Sequence, residues 1–280
     1  MQSAELNGTI LEYDVQGAAG EPVLLIHGSI FADGFKPLLA QPALAGNRLI
    51  YYHRRGYGGS GSAVGRRYTI AHQAADAEAL LDHLGVPSAH IVGHSYGGII
   101  ALQLVLQTPQ RVHSLTLLEP PLFAAPGGDE AWARFEPLLK QYAAGDKAGA
   151  LESFLTVVDG PAWREPVQAA LGPDAIKQAM ANCATFFEVE IQALRQWRFD
   201  QETARRITAP AFCIAGDETT PFLQSSHETL VRWITGCMQL VIFDTTHLLQ
   251  ISNPRPIGEG IARFLARQPM PVGTPAVAAS

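Results

Sequence analysis

The chain has 280 residues, of which 47% are hydrophobic, and a formal net charge of −6. That length and apolar content suffice for one large domain, or for one domain carrying an insertion. The acidic balance, spread without long runs, argues against nucleic acid or an anionic membrane surface as partner, since either calls for a basic patch.

Thr9 to Val15 alternates like a half-buried strand, whereas Pro22 to His27 and Leu49 to Tyr52 are continuous apolar runs. Ile70, Ala74, Ala77, Leu81 and Leu84 recur at spacings of four and three, which predicts one face of a helix. Gly85 stops it in the position after the last turn, where glycine is favoured. A strand over His90 to Val92 and a helix from Tyr96 to about Thr108 come next, and Pro109 ends that helix. Ser114 to Leu118, Ala211 to Ala215 and Gln239 to Phe243 are further apolar runs. Strands buried on both faces and alternating with amphipathic helices predict a mostly parallel, doubly covered sheet.

Between Leu122 and about Arg205 the pattern becomes helical, with no convincing strand. Trp132, Trp163 and Trp197 fall here, as do six of the twelve phenylalanines. This stretch is expected to be a helical cap, residues 122–205, inserted into a core of residues 1–121 and 206–268. The tail 269–280 is rich in Pro and Ala and is expected to be frayed. The arginine pairs Arg54-Arg55, Arg66-Arg67 and Arg205-Arg206 are isolated and are expected to be solvated surface charge. Cys183, Cys213 and Cys237 lack C-x-x-C spacing, so neither a disulfide framework nor a zinc site is indicated. Cys213, in an apolar strand, reads as a small buried hydrophobe. Met1 to Gln16 has no charged start followed by an apolar run, and no apolar segment approaches membrane-spanning length. A cytoplasmic protein is the expectation.

Ile91-Val92-Gly93-His94-Ser95-Tyr96-Gly97-Gly98 carries the chemistry. A G-x-S-x-G turn between a strand and a helix is a nucleophile elbow. It pushes the serine hydroxyl out of the sheet edge on a strained backbone. The following helix aims its positive N-terminal end at the same spot. Held there beside a histidine, Ser95 becomes a nucleophile.

Together with Ile26-His27-Gly28-Ser29, Arg54-Arg55-Gly56-Tyr57-Gly58-Gly59-Ser60, Leu118-Glu119-Pro120-Pro121 and Thr246-His247, all in family order, this elbow resembles the α/β-hydrolase family over roughly residues 5 to 266. The resemblance implies an α/β-hydrolase fold with a helical cap. It implies an oxyanion hole made by the backbone N–H of Tyr96 and that of Ser29, with Ile30 as the neighbouring possibility. It places the general base at His247, just past the last strand. His27 reads as a shaper of its loop. The other seven histidines, His53, His72, His83, His90, His94, His113 and His227, lack a matching position and read as surface or packing residues. The glycines of the Arg54-to-Ser60 loop permit a sharp turn, so it reads as structural rather than substrate-binding; it also lacks the phosphate-binding G-x-x-x-x-G-K-[ST] pattern.

The acid stays open between two positions. The usual slot resembles G-x-x-D, but here Gly216-Asp217-Glu218-Thr219 puts a threonine in it. The family's second arrangement takes the acid from the end of the strand after the nucleophile helix, here Leu117-Leu118-Glu119. A glutamate buried there needs a partner, and a histidine would be one. Glu119 is preferred, Asp217 is the alternative and Asp244 an outside candidate.

These residues point to serine-dependent hydrolysis of a carboxylic ester or lactone, with no cofactor and no metal implied. Ser95 in place of a carboxylate excludes the alkyl-enzyme chemistry of dehalogenases and epoxide hydrolases of similar fold. Carbon–carbon bond hydrolysis, cofactor-free perhydrolysis and ligand reception on a hydrolase fold are the alternatives. The aromatic insertion suggests a small apolar or aromatic substrate, with Trp197 and Phe187 as expected contacts.

Overall fold

The computed structural model describes residues 1–65 and 67–270. An eight-stranded sheet organises them, in the order β1-β2-β4-β3-β5-β6-β7-β8. The strands are β1 (Gln2–Leu6), β2 (Thr9–Gln16), β3 (Pro22–Ile26), β4 (Arg48–His53), β5 (Ala89–His94), β6 (Val112–Leu118), β7 (Ala211–Gly216) and β8 (Met238–Ile242). β1 and β2 pair antiparallel, and β3 to β8 run parallel. The fold is the α/β-hydrolase fold that the sequence implies. β1 is an addition to the strands expected from sequence; most of its residues are exposed, so it carries no apolar run to read.

The continuous apolar runs fold as strands covered on both faces. In β3, Leu24 and Ile26 join one buried cluster while Val23 and Leu25 join the other. β4 divides the same way, Ile50 and Tyr52 against Leu49 and Tyr51. Successive strand side chains point to opposite faces, so each face needs its own helices. The helices Ile70–His83, Tyr96–Gln107 and Pro221–Trp233 contribute to the first cluster, and Lys36–Leu39 and Pro254–Leu265 to the second. The helix Ile70–His83 buries Ile70, Ala74, Ala77 and Leu81, the stripe its spacing predicts. Gly85 follows with φ +64°, the left-handed turn that glycine takes without penalty.

Between β6 and β7 the chain forms helices at Gly128–Ala143, Lys147–Asp159, Arg164–Leu171, Ala175–Ala184, Ile191–Gln196 and Gln201–Ala204. Thr185–Glu190 joins two of them as a π-helical turn. A third buried cluster, with Leu151, Phe154, Trp163, Phe186 and Phe187, holds this insertion together and takes in Ile30 and Phe31 from the loop after β3.

Two charge expectations are corrected. Arg54 and Arg55 are 1% and 4% exposed rather than solvated. Arg54 pairs with Glu190 and Arg55 with Asp76, each at 2.6 Å. Both partners are distant in sequence, so the dipeptide alone gives no sign of them. Arg205 and Arg206 are exposed; Arg66 lies outside the described residues, as does the expected tail from residue 271 onward. Cys213 is buried as its apolar strand predicts. Among the described residues, no helix is long and apolar enough to cross a membrane.

Candidate active site

The site lies where the parallel strands end. β5 runs to His94, Ser95 turns, and the helix Tyr96–Gln107 begins at once. The turn works only with glycine on either side. A Cβ on Gly93 would come within 2.5 Å of the Gly97 carbonyl oxygen, and one on Gly97 would collide with the carbonyl oxygen of Ile26. Ser95 itself sits at φ +51°, ψ −121°, a backbone cost of order 1–3 kcal/mol for a residue with a side chain. Glu119 (φ +45°) and Ile30 (φ +69°) share this condition. Ser95 and Glu119 each stand directly past the end of a parallel strand, β5 and β6, whereas Ile30 lies four residues past β3.

His247 joins two of them. Its Nε2 lies 3.0 Å from Ser95 Oγ and its Nδ1 2.7 Å from Glu119 Oε2. The structure therefore brings Ser95, His247 and Glu119 into one hydrogen-bonded chain. Glu119 is 0% exposed, and its other bonds make that burial tolerable. The Gly216 N–H donates to Oε1 at 2.8 Å and the Thr219 hydroxyl to Oε2 at 3.0 Å. Thr219, which fills the slot of the more usual acid, thus supports the carboxylate in the other position. Asp217 is exposed and accepts a 3.4 Å bond from the Thr245 N–H; among the described residues no bond joins it to His247. Behind the imidazole, His94 Nε2 lies 3.0 Å from the His247 carbonyl oxygen. Burial, and then the neighbouring His247, push His94 well below the ordinary histidine pKa. It packs as a neutral ring that donates to that carbonyl.

The loop after β3, the expected oxyanion loop, is fixed from below. The Arg54 guanidinium donates to the carbonyl oxygens of His27 and Gly28, both at 2.9 Å, and to Gln73 at 2.7 Å. Gln73 in turn donates to the Tyr96 hydroxyl at 2.9 Å. Burial alone would discharge Arg54, but Glu190 beside it more than offsets that and raises its pKa. His27 accepts the Arg54 backbone N–H at Nε2 and lies 2.7 Å from the Gly28 carbonyl oxygen at Nδ1, the loop-shaping place expected of it. The Tyr96 N–H belongs to the first turn of its helix, where no intrahelical acceptor exists. The Ile30 N–H donates to the Tyr57 hydroxyl at 3.3 Å. That bond occupies the donor of the alternative oxyanion residue and leaves Ser29 as the loop's remaining candidate.

A cavity of about 400 Å³ opens onto Ser95 and His247. Its walls are largely apolar, with Phe123, Phe135, Phe154 and Phe186 from the insertion and Phe222 and Leu223 from the core. Ser29 and Tyr96 also line it. The two aromatic residues expected at the substrate do not. Phe187 turns away from the cavity and stacks on Tyr142, with ring centroids 4.5 Å apart; its neighbour Phe186 takes the cavity side. Trp197 stacks on Phe199 and donates to Gln103 at 2.8 Å, outside this cavity. Sequence reasoning also missed Asp159, a buried carboxylate of the insertion. It accepts the Leu248 N–H at 2.7 Å, one residue beyond His247, and bonds Thr246 on the other side. Burial raises its pKa despite those donors.

Comparison with known proteins agrees with this architecture. A "Putative carbamate hydrolase RutD" of Variovorax paradoxus (strain S110) is 44% identical over 110 residues, which is 39% of this chain and 41% of that protein. A second protein of the same name, from Azorhizobium caulinodans, is 36% identical over 131 residues, 47% of this chain and 44% of its own length. The chain thus spans less than half the length of these two curated relatives. A solved structure described as an N-acyl homoserine lactone degrading enzyme superposes with a TM-score of 0.73 at 25% identity, covering 94% of this chain and 100% of that one. Residues 21–254 match the family described as alpha/beta hydrolase fold. With that match across most of its length and the strand order above, the chain belongs to the α/β-hydrolase fold family.

Proposed function

We propose that this hydrolase cleaves a carboxylic ester or lactone by a serine-dependent, two-step acyl transfer. The observation that carries the reading is the continuous chain Ser95–His247–Glu119 opening on an apolar cavity. His247 Nε2 takes the Ser95 proton as Oγ attacks the carbonyl carbon, and Glu119 holds the ring and stabilises the imidazolium that forms. The N–H groups of Tyr96 and Ser29 receive the oxyanion; such donors are each worth about 3 kcal/mol of barrier. The imidazolium gives its proton to the leaving alkoxide. Water, deprotonated by the same ring, then releases the acid and restores Ser95. The phenylalanine walls suit an apolar or aromatic substrate.

A carbamate is the second reading, favoured by the name shared by the two curated relatives. Its carbonyl would meet the same groups. The test is acid release from aryl esters, alkyl esters, a large aromatic lactone and an aryl carbamate, with wild type beside Ser95→Ala. Serine-dependent release is expected, and its preferred member separates the readings. Equal turnover by Ser95→Ala would overturn both.

A further inference from the structure

Ser29 offers the cavity more than a backbone N–H. Its hydroxyl donates to Glu190 Oε2 at 2.5 Å. Glu190 is fully buried and its other oxygen is 2.6 Å from the Arg54 guanidinium. A carboxylate so paired accepts hydrogen bonds and offers none. A hydroxyl has one proton and two lone pairs, so the single Ser29 proton is spoken for. The residue is only half-buried and lines the cavity beside Ser95, Tyr96 and His247. The loop around it has little freedom. A Cβ on the preceding Gly28 would lie 3.0 Å from Ser95 Cβ. The Ser29 carbonyl oxygen accepts the Phe31 N–H at 2.8 Å, and the Ile30 carbonyl oxygen accepts Asn182 at 3.0 Å.

We propose that Ser29 is a specificity determinant. Its oxygen presents only accepting lone pairs to the acyl side of the reacting carbonyl and selects substrates with an O–H or N–H donor on the adjacent carbon, that is, α-hydroxy or α-amido acyl groups. This inference rests on the hydrolase reading of the site. It differs from a role for Ser29 in packing, because a packing role is indifferent to a proton on the substrate. Discrimination follows from chemistry: a site that hydrogen-bonds a substrate group disfavours analogues that lack it.

The experiment compares three 4-nitrophenyl esters of matched shape, those of mandelic, α-methoxyphenylacetic and phenylacetic acid. Each kcat/KM is divided by the rate constant of the same ester with hydroxide, which removes intrinsic reactivity. The expected result is about a tenfold preference for the mandelate over both others, the scale of one well-placed hydrogen bond. In Ser29→Ala this normalised ratio falls to about one. A methoxy ester as good as the hydroxy ester, or a preference that survives Ser29→Ala, would overturn the proposal. Binding to Ser95→Ala tests the same contact without turnover. By calorimetry, mandelamide should bind about tenfold more tightly than phenylacetamide, and equal affinities would overturn the proposal even if hydrolysis fails. Loss of hydrolysis with this binding preference intact would instead indict the catalytic reading.

Discussion

The buried pair between Glu190 and Arg54 gives the sharpest quantitative test of the architecture. Arg54 is 1% exposed and Glu190 0%, and water cannot replace the carboxylate if it is neutralised. Glu190→Gln keeps the size and an accepting oxygen but leaves the guanidinium charge without a counter-charge. Removing one partner of a buried pair costs about 3–5 kcal/mol. For a chain of this size each kcal/mol lowers Tm by roughly 2–4 °C, so a fall of about 10 °C is expected by differential scanning calorimetry. Replacing both groups together should cost less than the two single losses summed, because no buried charge is orphaned, while the His27, Gly28 and Gln73 acceptors still lose the Arg54 donor. Arg54→Met with Glu190→Leu removes two charges and two desolvation penalties at once, and a positive coupling in that double-mutant cycle is the signature of the pair. Activity supplies a second reading at temperatures where the variant is folded. Arg54 also holds the His27 and Gly28 carbonyls, so kcat should fall in Glu190→Gln more than KM rises. A Tm within 2 °C of wild type would refute the claim that this pair is closed and dry.

Two further outcomes follow from the geometry. Glu119→Gln should lower kcat by about three to four orders of magnitude through loss of the correct imidazole tautomer, while Asp217→Asn stays within twofold; a crippled Asp217→Asn would show that the acid is misassigned. Burial raises the Asp159 pKa above the ordinary 3.8, so its contribution to stability is fully present below about pH 4 and is lost as pH rises through the raised value. Asp159→Asn keeps an acceptor for the Leu248 N–H and should match or exceed the wild-type Tm at pH 7 but gain nothing at pH 4, and calorimetry at the two values checks the sign.

The parts of this molecule legible in sequence are those written locally. The elbow needs glycine at two fixed positions because of backbone contacts within a few residues, and Gly93 and Gly97 announce it. The parallel strands are continuous apolar runs because both faces are covered. Glu119 was readable as a candidate because a carboxylate straight after Leu117 and Leu118 calls for a partner. What stayed hidden depends on residues far apart. Arg54 looks like surface charge until Glu190, 136 residues away, is folded against it. Asp159 looks like any helix terminus until the loop around His247 arrives. The choice between Phe186 and Phe187 turns on one step around a π-helical turn, and no periodicity in the sequence marks that extra residue. A π-turn widens the helix by one backbone position, so it shifts which side chain faces inward.

Those two hidden carboxylates change how the insertion must be viewed. Asp159 grips the loop that carries His247, and Glu190 grips the loop that carries Ser29. The proposed reacting groups are therefore held from the insertion as well as from the sheet. Swinging the insertion away as a rigid cover would strip Arg54 of its counter-charge in a dry setting and leave the Leu248 N–H without its acceptor. The first loss costs about 3–5 kcal/mol and the second about 1–3 kcal/mol, together a large share of a domain stability of roughly 5–15 kcal/mol, so such an opening would be rare. Access then falls to the rim, where Glu130 and Arg134 are both exposed and both line the cavity. On the proposed function, selection among substrates rests on the fixed shape of the phenylalanine walls and on the few polar atoms beside Ser95, with little left for a closing motion to decide.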